Sequence, residues 1–121
     1  MDKRFIGLGS INACLAVALG AFGAHGLKGT ITPDMLDVFK TGVQYHMMHA
    51  LGLLAIGIVS GKLGGKAALA GWLLFAGIVL FSGSLYALSL SGIGILGAIT
   101  PLGGVAFLAG WIMLAVAAFR H

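Results

Sequence analysis

Charged residues are scarce in this sequence. Only 8% of its 121 residues are charged, seven basic and three acidic, whereas a soluble domain carries about 25%. Hydrophobic residues make up 60% of the chain. A chain with so little polar surface is not expected to fold in water, and its composition predicts a membrane protein.

Residues that carry chemistry are also scarce. The single cysteine, Cys14, cannot form an intrachain disulfide or a redox pair, which excludes the four-helix proteins that generate disulfides. No carboxylate lies inside an apolar stretch, which excludes small antiporters that couple transport to a membrane-embedded acid. Walker, catalytic-triad and zincin motifs are absent as well. The sequence therefore predicts neither an enzyme nor a cofactor-binding protein.

The charged residues leave four uncharged windows. The windows cover residues 5–24, 41–61, 67–90 and 93–119. Each is about as long as the 17–25 residues that a helix needs to cross a bilayer. Helices bond their own backbone groups, as a segment in lipid must. We therefore predict an all-α, polytopic membrane protein, a four-transmembrane-helix bundle forming one domain over residues 1–121, with the lipid bilayer as its main partner.

The positive charges indicate an orientation in the membrane. With four spans, both termini and the second loop share one side, and this side carries five basic residues: Lys3, Arg4, Lys62, Lys66 and Arg120. The other side has Lys28 and Lys40, diluted by Asp34 and Asp37. The positive-inside rule then predicts cytoplasmic termini. Because no basic stripe alternates with aromatic residues, the net charge of +4 does not indicate a nucleic-acid partner.

Small residues recur every three or four positions. Of the 21 glycines, several fall into such series together with alanines. The candidate packing residues are Gly9, Ala13, Ala16 and Gly20 in the first span, Gly57 and Gly61 in the second, and Ala106 and Gly110 in the fourth. Small residues at this spacing let helix backbones approach closely in lipid. They predict a tight bundle that can pack further into a homo-oligomer.

The first loop contains a helix signal. In "ITPDMLDVFK", Thr32 is a suitable N-cap and Pro33 suits the first helical position. Apolar and charged residues then alternate at helical spacing. This pattern predicts a short amphipathic segment in the first outer loop, lying at the membrane surface. The second span would then tilt strongly or bend near Gly42.

Polar residues gather in "TGVQYHMMHA", where Tyr45, His46 and His49 follow the loop, in the outer third of the second span. His25 ends the first span on the same side. Polar side chains in a span face the bundle or a cavity. Three uses compete: hydrogen bonds that lock the helices, a metal or haem site, and a pocket for a lipid head group, a quinone or another small molecule.

We favour the structural use. A spacing of three between histidines, with no nearby carboxylate or thiolate, is weak support for a metal. A neutral imidazole still has one donor and one acceptor to satisfy. We therefore expect His49 to bond another helix, through a carbonyl near Pro101 or a serine or tyrosine hydroxyl. We expect His46 to approach the first loop and His25.

The last two windows carry their own polar residues. Pro101 interrupts the fourth window, so that the helix either kinks there or begins there with Thr100 as its cap. Ser82 and Ser84 are expected to bond the carbonyl one turn back. Tyr86, near the outer end of the third span, is expected to serve as an interface anchor.

Four segments together resemble a known family. They are "LGAFGAHGL", "FKTGVQYHMMHALGLL", "GIVLFSGSLYAL" and "GAITPLGGVAFLAGW". In this order, and over essentially the whole chain, they resemble the YgdD/YwdK-type family of small four-helix inner-membrane proteins, a domain of unknown function. The resemblance implies a bacterial plasma-membrane protein, and it implies no reaction. It also implies one polar site, made of His25, Gln44, Tyr45, His46, His49, Ser82, Ser84, Tyr86 and Thr100 together with Pro101.

Two functions are consistent with these observations. The first is a non-catalytic membrane module that stabilises the bilayer or partner proteins. The second is a transporter-like protein that handles a small molecule, a lipid or an ion in an outer polar pocket around His25, His46 and His49. A dry, fully bonded histidine cluster would favour the first function, and a cavity beside the histidines would favour the second.

Overall fold

The structure is a computed structural model that describes residues 1–120, and nearly all of them are helical. The helices are α1 Lys3–His25, α2 Pro33–Leu63, α3 Gly65–Gly77, α4 Gly83–Ser91 and α5 Thr100–Phe119. A π-helical turn, Ile78–Ser82, joins α3 to α4, and a 3-10 turn, Gly94–Ala98, precedes α5. Because the π turn continues the helix, α3 and α4 form one span.

Four helical segments of the described chain are long and apolar enough to cross a membrane. They are Lys3–His25, Pro33–Leu63, Gly65–Ser91 and Gly94–Phe119. The predicted all-α, four-span fold is confirmed. The helices extend beyond most of the uncharged windows, because charged residues are tolerated in helix ends that reach the membrane surface.

The beginning of α2 differs from the prediction. The segment after Thr32 leads directly into the second span, since α2 starts at Pro33, the predicted first helical position, and continues for 31 residues. Thr32 is the N-cap, as predicted: its hydroxyl accepts a hydrogen bond from the Met35 N–H at 3.2 Å. Phe39 is fully buried, so this part of α2 packs on the bundle instead of lying on the surface.

The two central spans carry the core. α2 and the α3–α4 span pack against each other, α1 packs mainly on α2, and α5 packs mainly on α3 and the π turn. The core cluster includes Phe5 from α1, Leu53 and Ile56 from α2, Leu74 from α3 and Phe107 from α5. Only 22% of the residues in the apolar windows of α1 and α5 are buried. These two helices therefore present most of their apolar surface to the surrounding lipid.

Glycines set the closest approach of α1 to α2. A Cβ atom on Gly9 would lie 2.7 Å from the backbone nitrogen of Leu54, and one on Gly57 would lie 2.7 Å from the backbone nitrogen of Ile6. Gly20 is less tightly held, because its nearest neighbour would be a side-chain carbon of Val43 at 3.2 Å. The backbones of the two helices therefore touch at Gly9 and Gly57, and less closely at Gly20.

The remaining predicted packing residues differ in how tightly they are packed. Ala16 is buried in α1, and Gly61 faces the backbone nitrogen of Met1. Gly110 packs on Leu74, with a distance of 2.7 Å from the Cδ2 atom to an added Cβ. Ala13 and Ala106 are half-buried.

The α3–α4 span and α5 interlock at two further glycines. Gly103 of α5 lies against the backbone of Phe81 in the π turn, and Gly77 of α3 receives the ring of Phe107. A Cβ on Gly77 would be 2.5 Å from the Cε1 atom of that ring. Each helix thus places a phenylalanine against a glycine of the other, and the π turn lies at this contact.

The start of α5 decides between the two alternatives for Pro101. Pro101 lies in the first turn of α5, which begins at Thr100, where its missing N–H costs no hydrogen bond. The prediction that Thr100 caps this helix is wrong, since α5 has no side-chain cap. The Thr100 hydroxyl lies 2.6 Å from that of Ser84 and joins α5 to α4 instead.

Candidate functional site

The polar residues of the bundle interior centre on His46 and His49. Both lie near the middle of α2 as a whole, because this helix includes the segment that precedes the uncharged window 41–61. The side chains are 4% and 2% exposed. Residues three apart on a helix point about 60° away from each other, so the two rings meet different neighbours.

His46 joins α2 to both α1 and α4. Its Nε2 atom lies 2.9 Å from the Asn12 side-chain oxygen, and its Nδ1 atom lies 2.8 Å from the Tyr86 hydroxyl. An amide oxygen only accepts, so Nε2 carries the proton and Nδ1 accepts from the tyrosine. The Asn12 amide donates in turn to the Leu8 carbonyl at 2.8 Å, which fixes the amide orientation.

His49 joins α2 to α5 and has the opposite tautomer. The Trp111 indole N–H donates to Nε2 at 3.0 Å, so the proton is on Nδ1, which donates to the Tyr45 carbonyl at 2.8 Å. The ring also stacks on Phe107, with centroids 3.5 Å apart and an interplanar angle of 9°. A protonated ring could not accept from Trp111, so this arrangement requires neutral His49.

Both imidazoles are saturated. Each ring nitrogen has a hydrogen-bond partner, and in residues 1–120 every buried side-chain nitrogen or oxygen has one. Within the same residues no three His, Cys, Asp or Glu side chains converge as metal ligands would. The arrangement is suited to holding four helices together, since it leaves no ring nitrogen free to bind a metal or a substrate.

The serines of the third span form a second set of interhelical bonds. The Ser82 hydroxyl is fully buried and donates to the Gly42 carbonyl of α2 at 2.8 Å. The expectation that it bonds one turn back is wrong, because the π turn directs it at α2. Ser84 does bond one turn back, to the Phe81 carbonyl at 2.9 Å, and also contacts Thr100.

Three predicted members of the polar site lie elsewhere or play another role. His25 and Gln44 are exposed. The prediction that His46 approaches His25 is wrong: in the antiparallel α1–α2 pair His46 is level with Asn12, about 20 Å along α1 from His25 at 1.5 Å per residue. Tyr86 is not an interface anchor, because its hydroxyl bonds His46 inside the bundle.

Sequence reasoning missed two members of the network, Asn12 and Trp111. Asn12 is 7% exposed, and it is an isolated amide in an apolar span, where a polar residue is a candidate by default. Trp111 lies mid-helix in α5, and a tryptophan away from the interface needs a partner for its N–H. Both signals were present in the sequence, but neither indicates its partner.

An open groove runs beside His49, between α2 and α5. It has a volume of about 450 Å³ and a mostly apolar lining. The walls include His49, Phe107, Trp111, Pro101, Gly104 and Leu108. Because the nitrogens of His49 are already bonded, the groove offers mainly aromatic and aliphatic surface.

These features define the class of protein: a four-span integral membrane protein whose interior polar residues are bonded across helices. The chain belongs to the family described as protein of unknown function DUF423, which matches residues 19–104. Together with the relatives that follow, one of which is named YwdK, this match confirms the resemblance to the YgdD/YwdK-type family.

Several relatives match over almost their whole length. UPF0382 membrane protein YwdK of Bacillus subtilis (strain 168) is 64% identical over 98% of both chains. UPF0382 membrane protein SAB0533 of Staphylococcus aureus (strain bovine RF122 / ET3-1) is 54% identical over 98% of this chain and 97% of its own. UPF0382 membrane protein SSP2132 of Staphylococcus saprophyticus is 54% identical over 98% of both chains. No solved structure matches.

Proposed function

We propose that this protein is a non-catalytic module of the bacterial plasma membrane, which stabilises the bilayer or a partner protein. It would do so through the outer faces of α1 and α5, the faces that point away from the core of the bundle. The observation that carries the proposal is the saturation of His46 and His49. A general base needs a nitrogen that is free to take a proton, and a metal ligand needs a free lone pair. Both rings use these groups to bond neighbouring helices.

The outer faces of α1 and α5 supply the surface for this role. Large apolar side chains such as Ile11 and Val17 on α1, and Val105 and Ile112 on α5, are 60–64% exposed in the isolated chain. In a membrane they contact lipid, a partner helix or a second copy of the chain. A homo-oligomer that uses either face is part of the proposal.

The proposed orientation has both termini in the cytoplasm. The beginning of α1, the α2–α3 turn and the end of α5 lie at one end of the bundle and carry the five basic residues that the positive-inside rule places inside. In a Cys14→Ala background, Lys62→Cys should be shielded from an impermeant thiol reagent in intact cells, and Lys28→Cys should react. The reverse labelling pattern contradicts the orientation.

A double-mutant cycle on His49 and Trp111 tests the structural role. His49→Phe keeps the stacking on Phe107 but leaves the Trp111 N–H unpaired in the bundle, which should cost about 1–3 kcal/mol. Trp111→Phe removes the donor. The coupling between the two changes should be about 0.6–2 kcal/mol, as for other interhelical bonds in membranes. Gln44→Ala, an exposed position on the same helix, is the matched control and should leave the melting temperature unchanged.

The same variants separate the structural role from a binding role. The content of metals and small molecules in the purified protein, measured by mass spectrometry, should not differ between the wild type and His49→Phe. A near-stoichiometric metal or small molecule that His49→Phe abolishes, without a change in melting temperature, would contradict the proposal.

The groove beside His49 favours one alternative, the handling of a lipid or another apolar small molecule. Its apolar lining suits an acyl chain or a quinone ring, and suits an ion poorly. Gly104→Leu places a side chain in the groove at a position where an added Cβ meets no atom within 4 Å. If the alternative holds, this variant should keep its stability and lose a molecule that the wild type retains through purification.

A further inference from the structure

A second pocket lies at the end of the bundle where α1 and α3 begin and α2 ends. Its volume is about 450 Å³. It is lined by Lys3, Arg4, Ser60, Gly61, Gly64 and Ala68, among others. The α2–α3 turn contributes only glycine at residues 64 and 65, and an added Cβ on either would meet nothing within 4 Å. The pocket is therefore open to a group that approaches from outside the protein.

The N-terminal segment forms one wall, and it is firmly attached. The backbone N–H of Asp2 donates to the Gly57 carbonyl of α2 at 2.7 Å. The Asp2 carboxylate caps α1 by accepting from the Arg4 backbone N–H at 3.0 Å. These bonds hold the beginning of α1 against the end of α2 and give the pocket a defined shape.

The carboxylate of Asp2 at this end already forms an ion pair with Arg4. The Arg4 guanidinium donates to both oxygens of Asp2, at 3.2 and 3.0 Å. This hydrogen bonding holds the pKa of Asp2 below its ordinary value of 3.8, so the carboxylate stays charged and paired. Arg4 also lies 5.5 Å from the ring centroid of Trp72 on α3, which places its guanidinium between α1 and α3.

Three lysines at this end are left with an unbalanced charge. Lys3 lines the pocket, and Lys62 and Lys66 flank the α2–α3 turn; all three are exposed. The Arg4–Asp2 pair is the only ion pair within residues 1–120, and it contributes no net charge. One of these positive charges therefore lies in the wall of the pocket, and the other two lie beside the glycine turn that lines it. Asp34 and Asp37 lie at the opposite end of α2 and cannot neutralise them.

We propose that this pocket binds the phosphate head group of an anionic phospholipid. The lysines supply the charge complementarity, because basic pockets between transmembrane helices bind anionic head groups on the cytoplasmic side of a membrane. The proposed orientation puts this end of the bundle on that side. Trp72 is 42% exposed and Leu69 is 47% exposed on the adjoining surface of α3. They offer apolar surface next to the charged pocket, as a molecule with a phosphate and acyl chains requires.

Native mass spectrometry of the full chain in a neutral detergent tests the proposal, with phosphatidylglycerol and phosphatidylcholine as competing probes. The wild type should retain phosphatidylglycerol preferentially. Each lysine near the surface is expected to contribute about five-fold to the affinity. The triple variant Lys3→Gln, Lys62→Gln, Lys66→Gln should therefore bind phosphatidylglycerol with an affinity about a hundred-fold lower. The control Lys28→Gln, Lys40→Gln removes positive charge at the other end and should retain the preference.

If the triple variant does not fold, the wild type and a single variant test the same site. The preference of the wild type for phosphatidylglycerol should weaken as salt is raised, because exposed charges are screened, and Lys66→Gln alone should reduce it about five-fold. Equal retention of the two lipids overturns the proposal, as does an equal loss in the triple variant and the control. Displacement by inorganic phosphate at the same concentration as the lipid would identify a site for free phosphate and also overturns it.

Discussion

Two neighbouring glycines on α5 provide the sharpest test of the packing. Replacing Gly103 with alanine places a Cβ 2.7 Å from both the Cα and the Cβ atoms of Phe81, with the Phe81 backbone nitrogen closer still. Replacing Gly104 with alanine places a Cβ where no atom lies within 4 Å. The two variants have the same composition and differ only in the direction of one methyl group.

The expected effects have opposite signs. Carbon atoms pack at about 3.5–4.0 Å, so at Gly103 the helices must separate by about 1 Å. Overpacking of this kind costs about 1–3 kcal/mol, and the upper part of this range is expected because the obstacle is backbone that cannot change rotamer. Gly104→Ala should raise the free energy of unfolding by up to about 1 kcal/mol, because alanine loses less backbone freedom than glycine when the helix forms.

Unfolding by a denaturing detergent, followed by tryptophan fluorescence, measures both variants. Trp111 is on the same helix and bonds His49, so its emission should report the separation of α5 from α2. Gly103→Ala should unfold at a lower denaturant fraction than the wild type, and Gly104→Ala at the same or a higher one. If Gly103→Ala is as stable as Gly104→Ala, the close contact between α5 and the π turn does not exist in the membrane.

Three further predictions follow from the contacts of α1 and the third span. Gly9→Ala should destabilise the bundle by about 1–3 kcal/mol, because its Cβ meets backbone of α2 at 2.7 Å, whereas Gly7→Ala, with nothing within 4 Å, should not change the melting temperature. Ser82→Ala should cost about 0.5–1.5 kcal/mol by removing the buried bond to the Gly42 carbonyl, measured by the same unfolding assay. Because the pKa of Asp2 is lowered in the folded protein, its ion pair with Arg4 should stabilise the fold above about pH 4 and cease to do so as the pH falls through the folded pKa. The melting temperature of the wild type should therefore decrease over this acidic range, and that of Asp2→Asn should lack this decrease.

The spans could be predicted because lipid imposes local rules. Each crossing needs enough apolar residues and must bond its own backbone, and both requirements are visible in any single window. The start of α2 was also visible, since Thr32 and Pro33 form a local helix signal. The uncharged window 41–61 is shorter than α2, because a helix can extend past charged residues once it reaches the membrane surface.

The partners of the polar residues could not be predicted. The histidines were identified as candidates because a polar group in a span must be satisfied. That requirement does not specify which helix supplies the partner, and so Asn12 and Trp111 were missed. The π turn had no sequence signal, and it redirects Ser82 from its own helix to α2.

The sequence by itself therefore determined the class, the number of helices and the need for buried hydrogen bonds, because these depend on composition and local spacing. The tertiary structure alone decided that His46 bonds Asn12, 34 residues away, and that His49 bonds Trp111, 62 residues away. Such pairs depend on the rotation and register of each helix. Lipid does not specify either quantity, since an apolar helix face is equally satisfied at many rotations. The rotation and register of the helices are fixed where their backbones meet, at Gly9 and Gly103. Those contacts exist only when the helices are assembled.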